Sequence, residues 1–430
     1  MTKQEIIRKH KEYIFSCVST YYKDPLVVDH AKAQHVWDLE GRQYLDFLGG
    51  IVTISVGHSN EKITQKIKTQ IDRVQHTSTL FPTEAIVVLA ERMAQIAPGQ
   101  LKKCFFTNSG TEANEVAVLT ARMYTGNYEM LALRHGYSGH SHLAKSLTGL
   151  HSWRRSGVIP YGIVHAPGPY CYRCPYGLTY PSCELHCAND VEEVIRTSTS
   201  GQIGGLLAET IQGLGGVVAP PPGYFKIVAN IVRNYGGLFI SDEVQAGFGR
   251  TGKKWFGIEH WEVEPDIMTC AKGMANGVPI GCTITRPDIA DAFKGLTIST
   301  FGGNPVTCVA AKATIDVIEE DKLLDNVELV GNHFRQGLEA LKDKHNVIGD
   351  VRGMGLMQGI ELVKDRGTKK PAPELTSEVL ERTRANGLLV GKGGLYANVI
   401  RMSPPLNISK ADVDQALATL DKSLTEATAH

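Results

Sequence analysis

The chain has 430 residues, 42% of them hydrophobic, with 45 basic and 45 acidic side chains. That length exceeds one small domain and predicts a large domain with a smaller one. Zero net charge and no long charge run argue against a nucleic-acid surface, and no apolar stretch reaches membrane-spanning length.

Residues 1–10 mix charges and lack an apolar segment, so no secretory signal is expected and a cytoplasmic location is the default. Residues 1–60 begin with a short helix. They continue into Val36-Trp37-Asp38-Leu39 and Tyr44-Leu45-Asp46-Phe47, whose period of two predicts antiparallel strands. From 61 to 310 helical and strand patterns alternate, which predicts an α/β domain with a mainly parallel sheet and helices on both faces. Its strand candidates are 104–106, 130–133, 203–208, 236–240 and 266–271. Residues 311–430 read as long helices and short strands, among them 347–353 and 399–402. They close on an amphipathic helix over 411–427 with Ser409 as its N-cap. The expected division is a large domain, 61–310, and a small α+β domain assembled from 1–60 and 311–430.

The chemistry-bearing segments follow these strands. Thr107-Asn108-Ser109-Gly110-Thr111 opens a helix. Free N–H groups, the helix dipole and the Ser109 and Thr111 hydroxyls can hold a phosphate there, although the same residues also make an ordinary N-cap. His135-Gly136-Tyr137-Ser138-Gly139 places Tyr137 where it can stack on a planar ring or pack within the loop. Cys171, Cys174, Cys183 and Cys187, with His186 as a spare ligand, could bind zinc, form two disulfides or remain reduced. Glu209 ends another strand and reads as a surface group, a cap or a group steering a cofactor.

Two further segments, thirty residues apart, each deliver one ionisable residue to a loop: Asp242 after 236–240 and Lys272 after 266–271. Ligands of open α/β sheets gather at the carboxyl ends of strands. An amine and a carboxylate placed there suit pyridoxal phosphate: the amine forms a Schiff base, and the carboxylate keeps the pyridine nitrogen protonated. Alone, Asp242 reads as a turn former and Lys272 as a solvated lysine. The small flanks Ala271 and Gly273, together with the phosphate-type segment, favour the cofactor.

With these segments in view, the chain resembles the class III aminotransferases of the fold type I pyridoxal-phosphate enzymes along nearly its full length, nearest the alanine–glyoxylate aminotransferase 2-like branch. Residues 46–58, 108–114, 209–213, 300–305, 352–356 and the Asp242 and Lys272 segments carry the likeness. The resemblance implies Lys272 as Schiff-base lysine and general base, and Asp242 as partner of the pyridine nitrogen. It implies Tyr137 and Val244 on opposite ring faces, Gln245 near the ring hydroxyl and Glu209 beside the cofactor. By the same likeness Ser109, Gly110 and Thr111 would form the phosphate cup. Thr300 would reach the phosphate of a neighbouring subunit, which implies a homodimer, or a tetramer built from it, with shared active sites. Arg401 would clasp a substrate carboxylate, the alternative being a structural ion pair. Two positions depart from the family pattern. Leu214 stands where many members carry a glutamate that pairs with the arginine, which leaves open how Arg401 is neutralised. Ser138 stands where a histidine is frequent, and leaves Tyr137 in place.

The implied reaction is ping-pong transamination between an amino acid or ω-amine and a keto acid such as pyruvate or glyoxylate, through a Schiff base on Lys272. Ile51, Val52 and Leu214 hint at an apolar pocket and at hydrophobic or ω-amines. Two other readings stand beside it. One is a phospho-lyase acting on phosphoethanolamine-like amines, which needs an extra cationic cup such as Arg154 and Arg155. The other is a non-catalytic cofactor-binding protein, against which Lys272, Asp242 and the phosphate segment together argue.

Overall fold

The computed structural model of the protein describes residues 1–155 and 162–429. At its centre lies a seven-stranded sheet. In chain order its strands are β1 (Lys103–Thr107), β2 (Met130–Leu133), β3 (Ile163–Ala166), β4 (Gly205–Glu209), β5 (Leu238–Asp242), β6 (Ile267–Cys270) and β7 (Gly281–Thr285). Their spatial order is β1-β7-β6-β5-β4-β2-β3. Strands β3, β2, β4, β5 and β6 pair in parallel, and only β7 runs against its neighbours β1 and β6. The sheet is therefore mainly parallel, as the alternating pattern predicts.

Successive residues of a strand face opposite sides of a sheet, and here both sides are apolar. Met130, Ala132, Leu207, Ile240 and Ile267 pack with Ala117, Val118 and Ala121 of the helix Gly110–Thr125. Their alternates Leu131, Leu133, Leu206, Ala208, Phe239 and Met268 face the larger core on the other side. Two-sided burial explains why these strands read as unbroken apolar runs.

The two chain ends meet. Strands Val28–Lys32, His35–Asp38 and Gln43–Asp46 are antiparallel, and Leu388–Leu389 joins the last of them in parallel. A third sheet combines Ile348–Met354, Met357–Asp365, Val399–Met402 and Gly391–Gly393. The terminal helix Lys410–Thr428 starts at a capping box in which Ser409 Oγ accepts from the Asp412 N–H and Asp412 accepts from the Ser409 N–H. Among the described residues no helix is long and apolar enough to cross a membrane.

Candidate active site

Because β2, β4, β5 and β6 run in one direction, the residues that follow them collect along one edge of the sheet. Asp242 is the last residue of β5 and is buried. Its Oδ1 accepts from the Val244 N–H at 3.0 Å and its Oδ2 from Asn114 Nδ2 at 2.9 Å. A carboxylate has acceptor sites beyond these two. Burial outweighs both bonds and pushes the Asp242 carboxyl above its usual range, so the site favours a cationic partner for it. Lys272 begins the turn after β6 in a left-handed backbone conformation, φ 46°. Its amine has no hydrogen-bond partner among the described residues. Burial, and then the charge of Arg401, lower it to about 8, against the pull of Glu209 and Asp242.

Ser109 caps the helix Gly110–Thr125, accepting from the Glu112 N–H. The N–H groups of the first turn have no helical carbonyl to receive them. A Cβ on Gly110 would stand 3.0 Å from both methyls of Val244, so glycine is what lets Val244 sit directly against this turn. The Thr111 hydroxyl pairs with Ser141 Oγ at 2.7 Å, and Ser141 Oγ in turn pairs with Glu115 at 2.5 Å. This turn thus rests on a hydroxyl network that the helix-start motif alone did not disclose. Tyr137 is half-buried, and its ring meets Trp153 edge to face at 5.6 Å.

Glu209 ends β4 and accepts from the Tyr137 N–H at 2.8 Å, the Gly213 N–H at 3.0 Å and Gln245 Nε2 at 3.3 Å. Burial, and then the charge of Asp242, raise its carboxyl to about 7. Gln245 turns its other atom, Oε1, to Arg401 Nη2 at 2.8 Å. Arg401 lies on Val399–Met402, is buried, and has an unpartnered Nε. Glu209, Asp242, Gln245, Lys272 and Arg401 thus form one electrostatic group.

Thr300 is exposed on a surface loop between Phe293 and Asn304, with no hydrogen bond to that group. Arg154 is half-buried and Arg155 exposed, immediately after Trp153. Cys171, Cys174, Cys183 and Cys187 are free thiols lining a cavity of about 20 Å³, and no group of three metal-ligating side chains among the described residues is placed to hold an ion. Asn114 lies within the segment 108–114 that carries the family likeness, but the sequence assigns it no role. It bridges Asp242 to the Ser138 carbonyl and accepts from Thr269 Oγ1 at 2.7 Å. The available signal was a polar residue on a helix face otherwise made of Ala113, Ala117 and Val118.

The donor set fits pyridoxal phosphate. It offers an unpartnered amine at Lys272, a buried carboxylate with spare acceptor capacity at Asp242, and a sixteen-residue helix whose N-terminal turn faces the same edge. Together with the strand order, this defines a fold type I pyridoxal-phosphate enzyme. The model of the aminotransferase class-III family matches residues 18–424, and the chain belongs to that family, whose members use pyridoxal phosphate. It is 41% identical to the mitochondrial alanine–glyoxylate aminotransferase 2 homolog 2 of Arabidopsis thaliana, over 98% of this chain and 87% of that protein. It is 40% identical to a leucine/methionine racemase of Thermococcus litoralis, over 99% of this chain and 96% of that one. An amine transaminase from an uncultivated Pseudomonas species, solved with pyridoxal phosphate bound, superposes with a TM-score of 0.91 at 30% identity, covering 96% of this chain and 99% of that chain.

Proposed function

We propose that the protein moves an amino group from an amino acid to a keto acid such as pyruvate or glyoxylate in two half-reactions at one site, with Lys272 as the catalytic base. The observation that carries this reading is the Lys272 amine, unpartnered and lowered to about 8, within the field of Asp242, Glu209 and Arg401. When bound, pyridoxal phosphate supplies a carbonyl that condenses with amines and an electron sink for negative charge at the substrate carbon. Asp242 holds the proton on the pyridine nitrogen, with its own orientation set by Asn114 and the Val244 N–H. The Ser109–Thr111 turn holds the phosphate. Tyr137 and Val244 would confine the ring, and Gln245, held between Glu209 and Arg401, would lie beside its hydroxyl. Lys272 Nζ anchors the cofactor in the resting enzyme, removes the proton from the substrate Cα and holds it for return. Arg401 orients the substrate carboxylate.

Two copies of the chain complete the site in this reading. Thr300 is exposed on a loop that also exposes Leu296, Ile298 and Phe301, and exposed Leu80 and Phe81 follow His76 on a second loop. Phe301 and His76 join the two loops, ring to ring, at 5.0 Å. Such a patch is typical of an interaction surface. It supports a homodimer in which Thr300 serves the partner's phosphate. The sharing of one sheet by Gln43–Asp46 and Leu388–Leu389 supports a small domain built from 1–60 and 311–430 around a large domain, 61–310.

The test is a balance of products. Holoenzyme with an amino acid and pyruvate or glyoxylate should yield the new keto acid and the new amino acid in equal amounts. Inversion of the amino acid without a keto acid would support the racemase activity named for the Thermococcus relative. Phosphate release from phosphoethanolamine would support a lyase.

A further inference from the structure

Arg401 is 4% exposed and forms no ion pair among the described residues. Its Nη2 donates to Gln245 Oε1 at 2.8 Å, while Nε is buried without a partner. Nε and Nη2 are adjacent prongs on one edge of the guanidinium, and a carboxylate grips both with its two oxygens. An amide offers one oxygen, its other polar atom being a donor. Gln245 therefore fills one prong of a fork built for two, and its Nε2 is committed to Glu209. Glu209, whose charge also acts on Arg401, already accepts from the Tyr137 and Gly213 N–H groups. Burial without an anion at the fork holds the guanidinium below its usual range.

The surroundings lock this arrangement. A Cβ on Gly213 would overlap Gln245 Oε1, and one on Gly393 would stand 2.5 Å from Arg401 Cδ and 2.9 Å from the Leu214 carbonyl. Backbone therefore packs against both partners.

We propose that Gln245 sets the substrate class. As a neutral latch it keeps the Arg401 guanidinium aimed but uncompensated, so the site takes substrates with a carboxylate beside the reacting carbon and discriminates against plain amines. This rests on the reading of Arg401 as the carboxylate-binding residue. An incoming carboxylate takes both prongs and displaces one hydrogen bond to a neutral group. A substrate without a carboxylate leaves a buried cation facing an amide. The charge at Arg401 is thereby given more weight than an apolar lining, in departure from the hint toward ω-amines drawn from Ile51, Val52 and Leu214.

Holoenzymes of wild type, Gln245→Glu, Gln245→Met and Arg401→Leu would be titrated with propionate, a carboxylate without a reacting group, by calorimetry. Their kcat/KM values for alanine and for 2-aminopropane would be compared. In Gln245→Glu the new carboxylate fills the fork. Propionate should then weaken about tenfold or more, recover as acidification protonates Glu, and the preference for alanine should narrow. Gln245→Met removes the hydrogen bond that aims the guanidinium without adding a charge, so propionate should weaken by less than in Gln245→Glu and to the same extent at every pH, and the preference for alanine should survive. Arg401→Leu should lose propionate binding. Unchanged propionate affinity in Gln245→Glu, or a loss in Gln245→Met as large as in Gln245→Glu, would overturn the latch while leaving Arg401 as the carboxylate site. Unchanged affinity in Arg401→Leu would overturn the underlying reading as well.

Discussion

At Lys272 one amine meets opposing fields. Burial and Arg401 push its proton off, and Glu209 and Asp242 hold it on, leaving it at about 8. The amine attacks a carbonyl only when neutral. In apoprotein reloaded with pyridoxal phosphate, the visible band should therefore appear faster as pH rises through about 8 and level off above it. Arg401→Leu removes a charge that lowers Lys272, so the midpoint should move up. A wild-type midpoint at the ordinary lysine value, about 10.4, would contradict this account of the site. Lys272→Ala should cut turnover by roughly 10²–10⁴-fold, the usual worth of a positioned acid–base group, with the fold intact by circular dichroism. Lys272 and Asp242 were legible in the sequence because an apolar run delivers each to a loop, Lys272 between the small residues Ala271 and Gly273. The Gln245–Arg401 bond was not legible. It joins residues 156 positions apart, and nothing local to either names the other.

Among the elements, the strands buried on both faces were the readable ones: 130–133 and 399–402 coincide with the observed strands. β3 and β7 were not among the strand candidates. β3 is a half-buried edge, and β7, although buried throughout, carries Gly281, Thr283 and Thr285, which break up the apolar run by which the other buried strands were recognised. The turn Gly49–Val52 was equally hidden, since Gly49, Gly50, Ile51 and Val52 all have positive φ. Asp46 supports it by accepting from the Leu48 and Gly49 N–H groups, and Ser55 just beyond it bonds the Gly273 carbonyl beside Lys272 at 3.0 Å. A β-branched residue in that region costs roughly 1–2 kcal/mol. Ile51 is half-exposed, so Ile51→Gly loses little packing and should leave stability unchanged or raise it by up to about 1 kcal/mol in urea unfolding. By contrast, a Cβ on Gly281 would overlap the Ser109 carbonyl and Thr107 Oγ1. Gly281→Ala should destabilise the protein by about 1–3 kcal/mol and weaken cofactor retention by displacing the phosphate turn, measured by dialysis against the free cofactor.

Across the whole molecule, the edge that carries Asp242 and Lys272 comes from the large sheet, while Arg401 arrives from the C-terminal sheet. Gln245 Oε1 joins the two parts. Arg250 ties them a second time: fully enclosed, it donates to the carbonyls of Leu356 and Pro404. Phe301→Asp, placed in the exposed apolar patch, should shift the protein from dimer to monomer in sedimentation. It should also lower activity, because each Thr300 would lose the partner phosphate that the account assigns to it. The most direct test of the central claim is the visible spectrum of purified protein during one half-reaction. With alanine alone, the band of the lysine-bound cofactor should convert to that of the aminated cofactor with release of one keto acid per site, and adding glyoxylate should restore it. A band that stays unchanged with every α-amino acid supplied, or the absence of any band after pyridoxal phosphate is added, would contradict the account.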